Sequence, residues 1–165
     1  MQYDPDIHHR RSIRLKGYDY SQVGLYFITI CCQDKTYRFG KIENREMMLN
    51  DCGKIAHDSW MTLSENHPNV SLDVFQIMPN HIHGIIVLDD ITKATSIGHI
   101  IGRYKTWVTH QCLKIYESQN RKMGQLWQRN YYEHIIRNED EYYRIAEYIA
   151  NNPRNWENDK LWMGS

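Results

Sequence analysis

Residues 70–88, VSLDVFQIMPNHIHGIIVL, constrain the fold more than any other stretch. The first eight alternate apolar and polar, as a half-buried strand does, because successive strand side chains point to opposite faces. Residues 81–88 read as the returning strand, with Ile85, Ile86, Val87 and Leu88 supplying β-branched and aliphatic side chains. MPN between them is a tight turn, with Pro79 and Asn80 in turn roles. The pair is an antiparallel hairpin, and a hairpin alone is at best marginally stable, so further strands and covering helices must complete it.

The rest of the chain supplies them. Residues 25–32, LYFITICC, carry a strong strand signal, and 37–42 and 46–50 read as two more strands joined by a turn near Glu43 and Asn44. Asp51 is placed to cap a helix running to about Glu65, with Ile55, Trp60 and Leu63 as its apolar face, before Pro68 breaks it. A long helix is predicted over 96–118, with Ile97, Ile100, Ile101, Tyr104, Val108 and Leu113 as its stripe. Residues 125–136 hold a short strand near their end. Asn138 then opens a last helix whose first turn is acidic, as a helix dipole favours, and which stops at Pro153. Hairpin strands with helices between them indicate an α+β domain, an antiparallel sheet with helices packed on one face.

A length of 165 residues, with no repeat and no linker, fits a single domain over 1–165. No apolar run approaches the roughly 20 residues that span a bilayer, and the first 20 residues lack the apolar core of a secretory signal. A cytosolic (cytoplasmic) protein with no membrane partner is expected. Cys31, Cys32, Cys52 and Cys112 form no CxxC, so reduced structural thiols are expected. Net charge is formally zero, which argues against a broad nucleic-acid footprint. The charge is uneven, however: Arg10, Arg11, Arg14 and Lys16 form a basic N-terminal arm that could hold a short strand of nucleic acid.

His81 and His83 are two residues apart in the returning strand, so they share a face and can converge on one ion, while Ile82 turns to the opposite face. Two imidazoles suit a divalent metal but do not close its coordination sphere. On the last helix, Tyr148 and Asn152 are four apart and share a face. Asn152 offers a carbonyl oxygen as a further ligand. Tyr148 offers a phenol, whose pKa near 10 makes it easier to activate than an alcohol and a better leaving group in the reverse step.

The motif His81-Ile82-His83, the stretch WQRNYYEHIIRNEDE and the closing YIANNP resemble the single-tyrosine HUH transposases of the insertion-sequence-200-like family, specifically the REP-associated tyrosine transposase branch. RRSIRLKGYDYSQVGLYFITICCQD resembles the same branch, so the likeness runs from about residue 10 to residue 158. It implies a ferredoxin-like (RRM-like) fold, a homodimer, a Mg²⁺ or Mn²⁺ site and cleavage of single-stranded DNA at a hairpin, leaving a 5′-phosphotyrosine and a free 3′-hydroxyl. Carried onto this sequence, Tyr148 is the nucleophile, and His81, His83 and Asn152 are the metal ligands, with asparagine where some relatives have glutamine.

Rivals stand beside these assignments. Tyr142 and Tyr143 lie on the same helix, and Glu147 follows Tyr143 by one turn. A hydrolase using His81, His83 and Glu147 would cleave without a covalent step. An RRM-like module could bind single strands without chemistry. His134 is either a strand histidine supporting the site or an outer-shell group that orients a ligand or phosphate. Arg103 and Lys105 are weaker DNA-binding candidates, and Trp107, Trp127, Tyr131 and Tyr132 could stack on bases, though core packing suits Trp127 better.

Overall fold

The computed structural model describes residues 24–89 and 95–164, so the basic arm with Arg10, Arg11, Arg14 and Lys16 lies outside the described residues. The order is β1 (Gly24–Cys31), β2 (Gly40–Glu43), β3 (Glu46–Leu49), α1 (Asp51–Met61), α2 (Leu63–Asn66), β4 (Val70–Ile77), β5 (His81–Leu88), α3 (Ile97–Ser118), β6 (Tyr132–Ile136) and α4 (Glu139–Asn151). The main sheet runs β4-β5-β1-β6, every neighbouring pair antiparallel. With α1 and α3 as the crossovers this is the ferredoxin-like βαββαβ arrangement. The β2-β3 hairpin is a separate two-stranded insertion between β1 and α1.

The main core lies on one face of this sheet. Tyr26, Ile28 and Ile30 of β1 and Ile82, Ile86 and Leu88 of β5 pack there against Ala56 and Trp60 of α1 and Ile97, Ile100, Ile101, Tyr104 and Val108 of α3. The other face is not bare, which is where the fold departs from helices packed on one face. Leu25 and Phe27 of β1, Val74 of β4, Ile85 of β5 and Ile136 of β6 meet Tyr142, Ile145, Ala146 and Ile149 of α4. The physical reason is in the central strands. LYFITI and GIIVL are near-continuous apolar runs, the pattern of strands that need cover on both sides. The edge strands are less buried: β4 is intermediate along most of its length, with a register shift between Leu72 and Phe75, and β6 alternates.

Helix ends follow side-chain caps. Asn50, not Asp51, caps α1, its Oδ1 accepting from the Gly53 amide at 2.9 Å. The predicted single helix to Glu65 is interrupted at Thr62 and resumes as α2. Ser96, expected as the first residue of the long helix, is the N-cap of α3, and Asn138 opens α4 as expected. On α3, Leu113 is exposed and Cys112 takes the core position, since a true 3.6-residue period from Val108 falls on 112. The strand expected from residue 37 begins at Gly40. All four cysteines are free, and no helix among the described residues is long and apolar enough to cross a membrane.

Gly84, next to His83, marks the tightest point between β5 and the core. A Cβ there would lie 2.4 Å from Cζ2 of the fully buried Trp60 and 3.1 Å from Cβ of Phe75. Gly84→Ala is expected to lower stability by about 1–3 kcal/mol through overpacking, read as a lower urea midpoint at unchanged slope. A midpoint equal to the wild type would show that Trp60 yields freely.

Candidate active site

The register of β5 places the histidines. His81 pairs with Cys31 and His83 with Thr29, both on the central strand β1. The odd-numbered residues of β5 face α4, so both imidazoles point into the junction between sheet and helix, 0 % and 2 % exposed. Their ring centroids are 4.4 Å apart. Tyr148 and Asn152 come to the same junction from α4, the phenol half-exposed and the amide buried. Tyr148 Oη lies 3.2 Å from His83 Nε2, and Asn152 Oδ1 lies 3.2 Å from His81 Nε2. The four residues singled out in sequence therefore meet within one chain.

The site contains a group that the sequence did not reveal. Asp159, in the segment after α4, accepts hydrogen bonds from Asn152 Nδ2 at 2.6 Å and Tyr148 Oη at 3.3 Å on Oδ2, and from the Leu161 amide at 2.7 Å on Oδ1. One donor atom each from His81, His83 and Asp159 lie within 4.8 Å of one another, a spacing able to hold a metal ion. Glu147, the carboxylate weighed from sequence, is exposed on the far side of α4 and has no place in this group. Nothing in the local sequence marks Asp159, which follows Pro153 in irregular chain.

Hydrogen bonds fix which lone pairs face inward. Asn80 Nδ2 donates to the carbonyls of Lys35 at 3.1 Å and Leu161 at 2.7 Å, so Asn80 Oδ1 is left to accept. It takes the proton of His81 Nδ1 at 2.8 Å. His81 is thereby held as the tautomer whose Nε2 carries a lone pair. Asn152 Nδ2 is committed to Asp159, so Asn152 Oδ1 also presents a lone pair, directly at His81 Nε2. Two acceptors 3.2 Å apart repel unless a proton or a cation lies between them. Burial, outweighing the attraction of Asp159, holds the His81 pKa down at about 4, so a proton is disfavoured at neutral pH. Cis ligands of an octahedral ion with bonds of about 2.1 Å stand about 3 Å apart. The donors present therefore fit a divalent cation. His83 Nδ1 is engaged by Thr29 Oγ1 at 2.8 Å, and burial first, then His81, lowers its pKa well below the usual value. The Tyr148 phenol is pushed up to about 12, chiefly by burial and then by Asp159.

The other candidates fall in different places. Tyr142 Oη donates to Asp73 of β4 at 2.9 Å, and Tyr143 points into solvent, 60 % exposed, toward Glu139. His134 Nε2 lies 2.6 Å from Glu141 Oε1, while Glu141 Oε2 accepts from the Arg137 amide at 2.7 Å. His134 thus ties β6 to the first turn of the helix that carries Tyr148, and contacts neither histidine of the pair. Lys105 Nζ donates to the carbonyls of Gln128 and Arg129, at 2.7 and 3.2 Å, holding the loop before β6. Arg103 lines a groove with Asp58, His67 and the exposed Trp107 on the α1-α3 side of the sheet. Trp127 and Tyr131 are core residues, and Tyr132 is exposed.

A ferredoxin-like sheet with two histidines on a central strand and a phenol on a C-terminal helix is the arrangement implied by the sequence resemblance. The chain belongs to the IS200-like transposase family, whose model, described as "Transposase IS200 like", matches residues 39–152. It is 44 % identical to an uncharacterised protein of Haemophilus influenzae, over 98 % of this chain and 97 % of that one. A second Haemophilus influenzae protein, named as a candidate REP-associated tyrosine transposase, is 25 % identical over 82 % of this chain and 73 % of its own. In fold the chain is similar to a REP-associated tyrosine transposase solved bound to a REP hairpin, with a TM-score of 0.61, 21 % identity and coverage of 87 % and 73 %. It also matches a crystal structure of a candidate transposase from Deinococcus radiodurans, with a TM-score of 0.52, 15 % identity and coverage of 82 % and 95 %.

The depressed His81 pKa has a consequence for stability. As pH falls below the ordinary histidine value of 6.5, the unfolded chain takes up a proton that folded His81 refuses until about pH 4. Stability is full above about 6.5 and declines toward 4, by on the order of 3 kcal/mol for this group. Urea titrations across that range, with chelator present, are expected to show a shallower pH dependence for His81→Gln. An identical slope in both proteins would mean that His81 is not held neutral.

Proposed function

We propose that this protein is a metal-dependent single-stranded DNA endonuclease and strand transferase, a transposase acting at DNA hairpins through a 5′-phosphotyrosine. The observation that carries the proposal is the meeting of Tyr148 Oη with His83 Nε2 at 3.2 Å, beside the opposed lone pairs of His81 and Asn152. His81, His83 and Asn152 would hold Mg²⁺ or Mn²⁺, with Asp159 a fourth donor. A cation there supplies Lewis acidity, polarising a phosphate and offsetting the burial that keeps the phenol protonated. Tyr148 Oη attacks phosphorus, forming the Oη–P bond as the P–O3′ bond breaks. The 3′-oxygen leaves with a proton, and the phosphate stays on tyrosine through its 5′ side. The phenol proton has Asp159 Oδ2 in reach at 3.3 Å, a carboxylate oxygen with more than one lone pair, whereas the single lone pair of His83 Nε2 would be committed to the cation. Reversal by a DNA hydroxyl rejoins a strand without another energy source.

The bound REP hairpin of the structural relative supports hairpin DNA as the substrate class. The N-terminal arm, with Arg10, Arg11, Arg14 and Lys16, is proposed to hold phosphates. His81, His83, Asn152, Asp159 and Tyr148 all come from one chain, so a homodimer, part of the same proposal, is not needed to complete a site. Lys105 and Arg103 are assigned no DNA role. A binding module without chemistry would use the open sheet face, and α4 lies across that face here.

Incubation with Mn²⁺ and a labelled hairpin bearing single-stranded flanks is expected to give a denaturant-resistant adduct. Tyr148→Phe should abolish it, with hairpin binding retained, and Tyr143→Phe should leave it intact. An adduct that survives Tyr148→Phe would overturn the assignment.

Asn80 tests the cation site separately. Asn80→Ala removes the acceptor that orients His81, and is expected to weaken Mn²⁺ binding by about 10–100-fold, measured by calorimetry on protein whose folding is confirmed by its melt. Unchanged Mn²⁺ affinity would show that His81 needs no such support.

A further inference from the structure

A cleft of about 790 Å³ opens between the β2-β3 hairpin and the segment after α4, within the roughly 300–1,000 Å³ typical of ligand sites. It adjoins the catalytic cluster. Trp156 lines it and also lies with its ring 5.8 Å from that of His81. Tyr37 stands on its wall 5.8 Å from Trp156, and Trp162, 40 % exposed, adds a third ring. Lys41, Arg45 and Arg154 line it as well, against one carboxylate, Glu157. Lys41 is shared with Glu43, but neither Arg45 nor Arg154 has a carboxylate partner among the described residues. Arg45 occupies a hairpin turn with φ of 66°, after Asn44 at 51°. Glycine is the usual residue at that second position, so the turn presents a guanidinium at a steric cost.

We propose that this cleft binds the unpaired nucleotides that flank the reacting phosphate, its exposed rings, Tyr37 and Trp162, stacking on bases and its cations holding the backbone. Aromatic faces interleaved with unpaired cations are the chemistry of single-strand recognition. A duplex offers its phosphates but not its base faces, so the cleft selects unpaired DNA, on the other side of the buried Trp156 ring from His81. The proposal rests on the transposase reading for the reacting phosphate's position; the chemistry of the cleft is independent of it.

The test is anisotropy of the full chain with a short labelled oligothymidylate and, in parallel, a blunt DNA hairpin. Trp162→Ala should weaken oligothymidylate binding about tenfold, and Arg45→Glu with Arg154→Glu should weaken it at least as much and flatten its salt dependence. Blunt-hairpin binding should change less than about twofold. An oligothymidylate carrying 5-iodouracil should photocrosslink to Tyr37 or Trp162 by mass spectrometry. No binding by the wild type, wild-type affinity in both variants, or an equal loss for the blunt hairpin would each overturn the proposal. The adduct assay run beside it separates the two ideas. Variants that bind normally while the wild type forms an adduct sink the cleft alone, whereas a selective binding loss with no wild-type adduct sinks the catalytic reading alone.

Discussion

The site depends on β5 being an interior strand covered on both faces. Its even residues, Ile82, Ile86 and Leu88, are locked into the main core, and Gly84 lets Trp60 close on it. Its odd residues must then face α4, and a slip of one position would exchange Ile82 with the histidines. Such a slip would bury two imidazoles in the main core among Trp60, Tyr104 and Ile100, away from Thr29, Asn80 and Asn152. The hydrophobic core therefore sets the direction in which His81 and His83 point.

Direction is refined by polar contacts that have little to do with packing. The tight turn before β5 is held by Arg38 and Phe39 amides on the Pro79 carbonyl and by the Cys32 amide on that of Asn80. That anchoring puts the Asn80 side chain where it orders His81. On the opposite wall, α4 is tied at its first turn to both edge strands, through Tyr142 to Asp73 and through Glu141 to His134. Phe27, 5.4 Å from His83 and 6.4 Å from Tyr148 between ring centroids, is the floor on which strand and helix residues meet. A phenol on a helix reaches a strand histidine to within 3.2 Å because both ends of that span are pinned.

Much of this was legible in the chain. The hairpin, the opening of the last helix at Asn138, and the i, i+2 and i, i+4 pairings are local, so the local pattern reveals them. What it could not reveal is non-local. Which side α4 would cover depends on the apolar content of both faces of β1 and β5, and hairpin strands with helices between them pointed to one-sided cover. Asp159 belongs to irregular chain, where no period places a side chain, and it enters the site only because Leu161 and Asn80 draw that segment across the end of β5. Sequence also cannot show that Lys105 gives two of its three donors to the carbonyls of Gln128 and Arg129. Glu147 had a suitable chemical type and the wrong helical face.

The charge of the cluster bears on why an amide occupies position 152. His81 and His83 are held neutral by burial, and Asn152 is neutral, so Asp159 is the one formal charge among the donors. With a divalent cation bound, as proposed, the site would carry one net positive charge, matching the single negative charge of a phosphodiester. A carboxylate in place of Asn152 would cancel that attraction and face Asp159 Oδ2 as a second anion at hydrogen-bonding distance, where Asn152 Nδ2 now donates at 2.6 Å. The amide therefore serves both sides at once: its oxygen is turned to His81 Nε2, and its nitrogen holds the carboxylate that no local signal in the sequence announces.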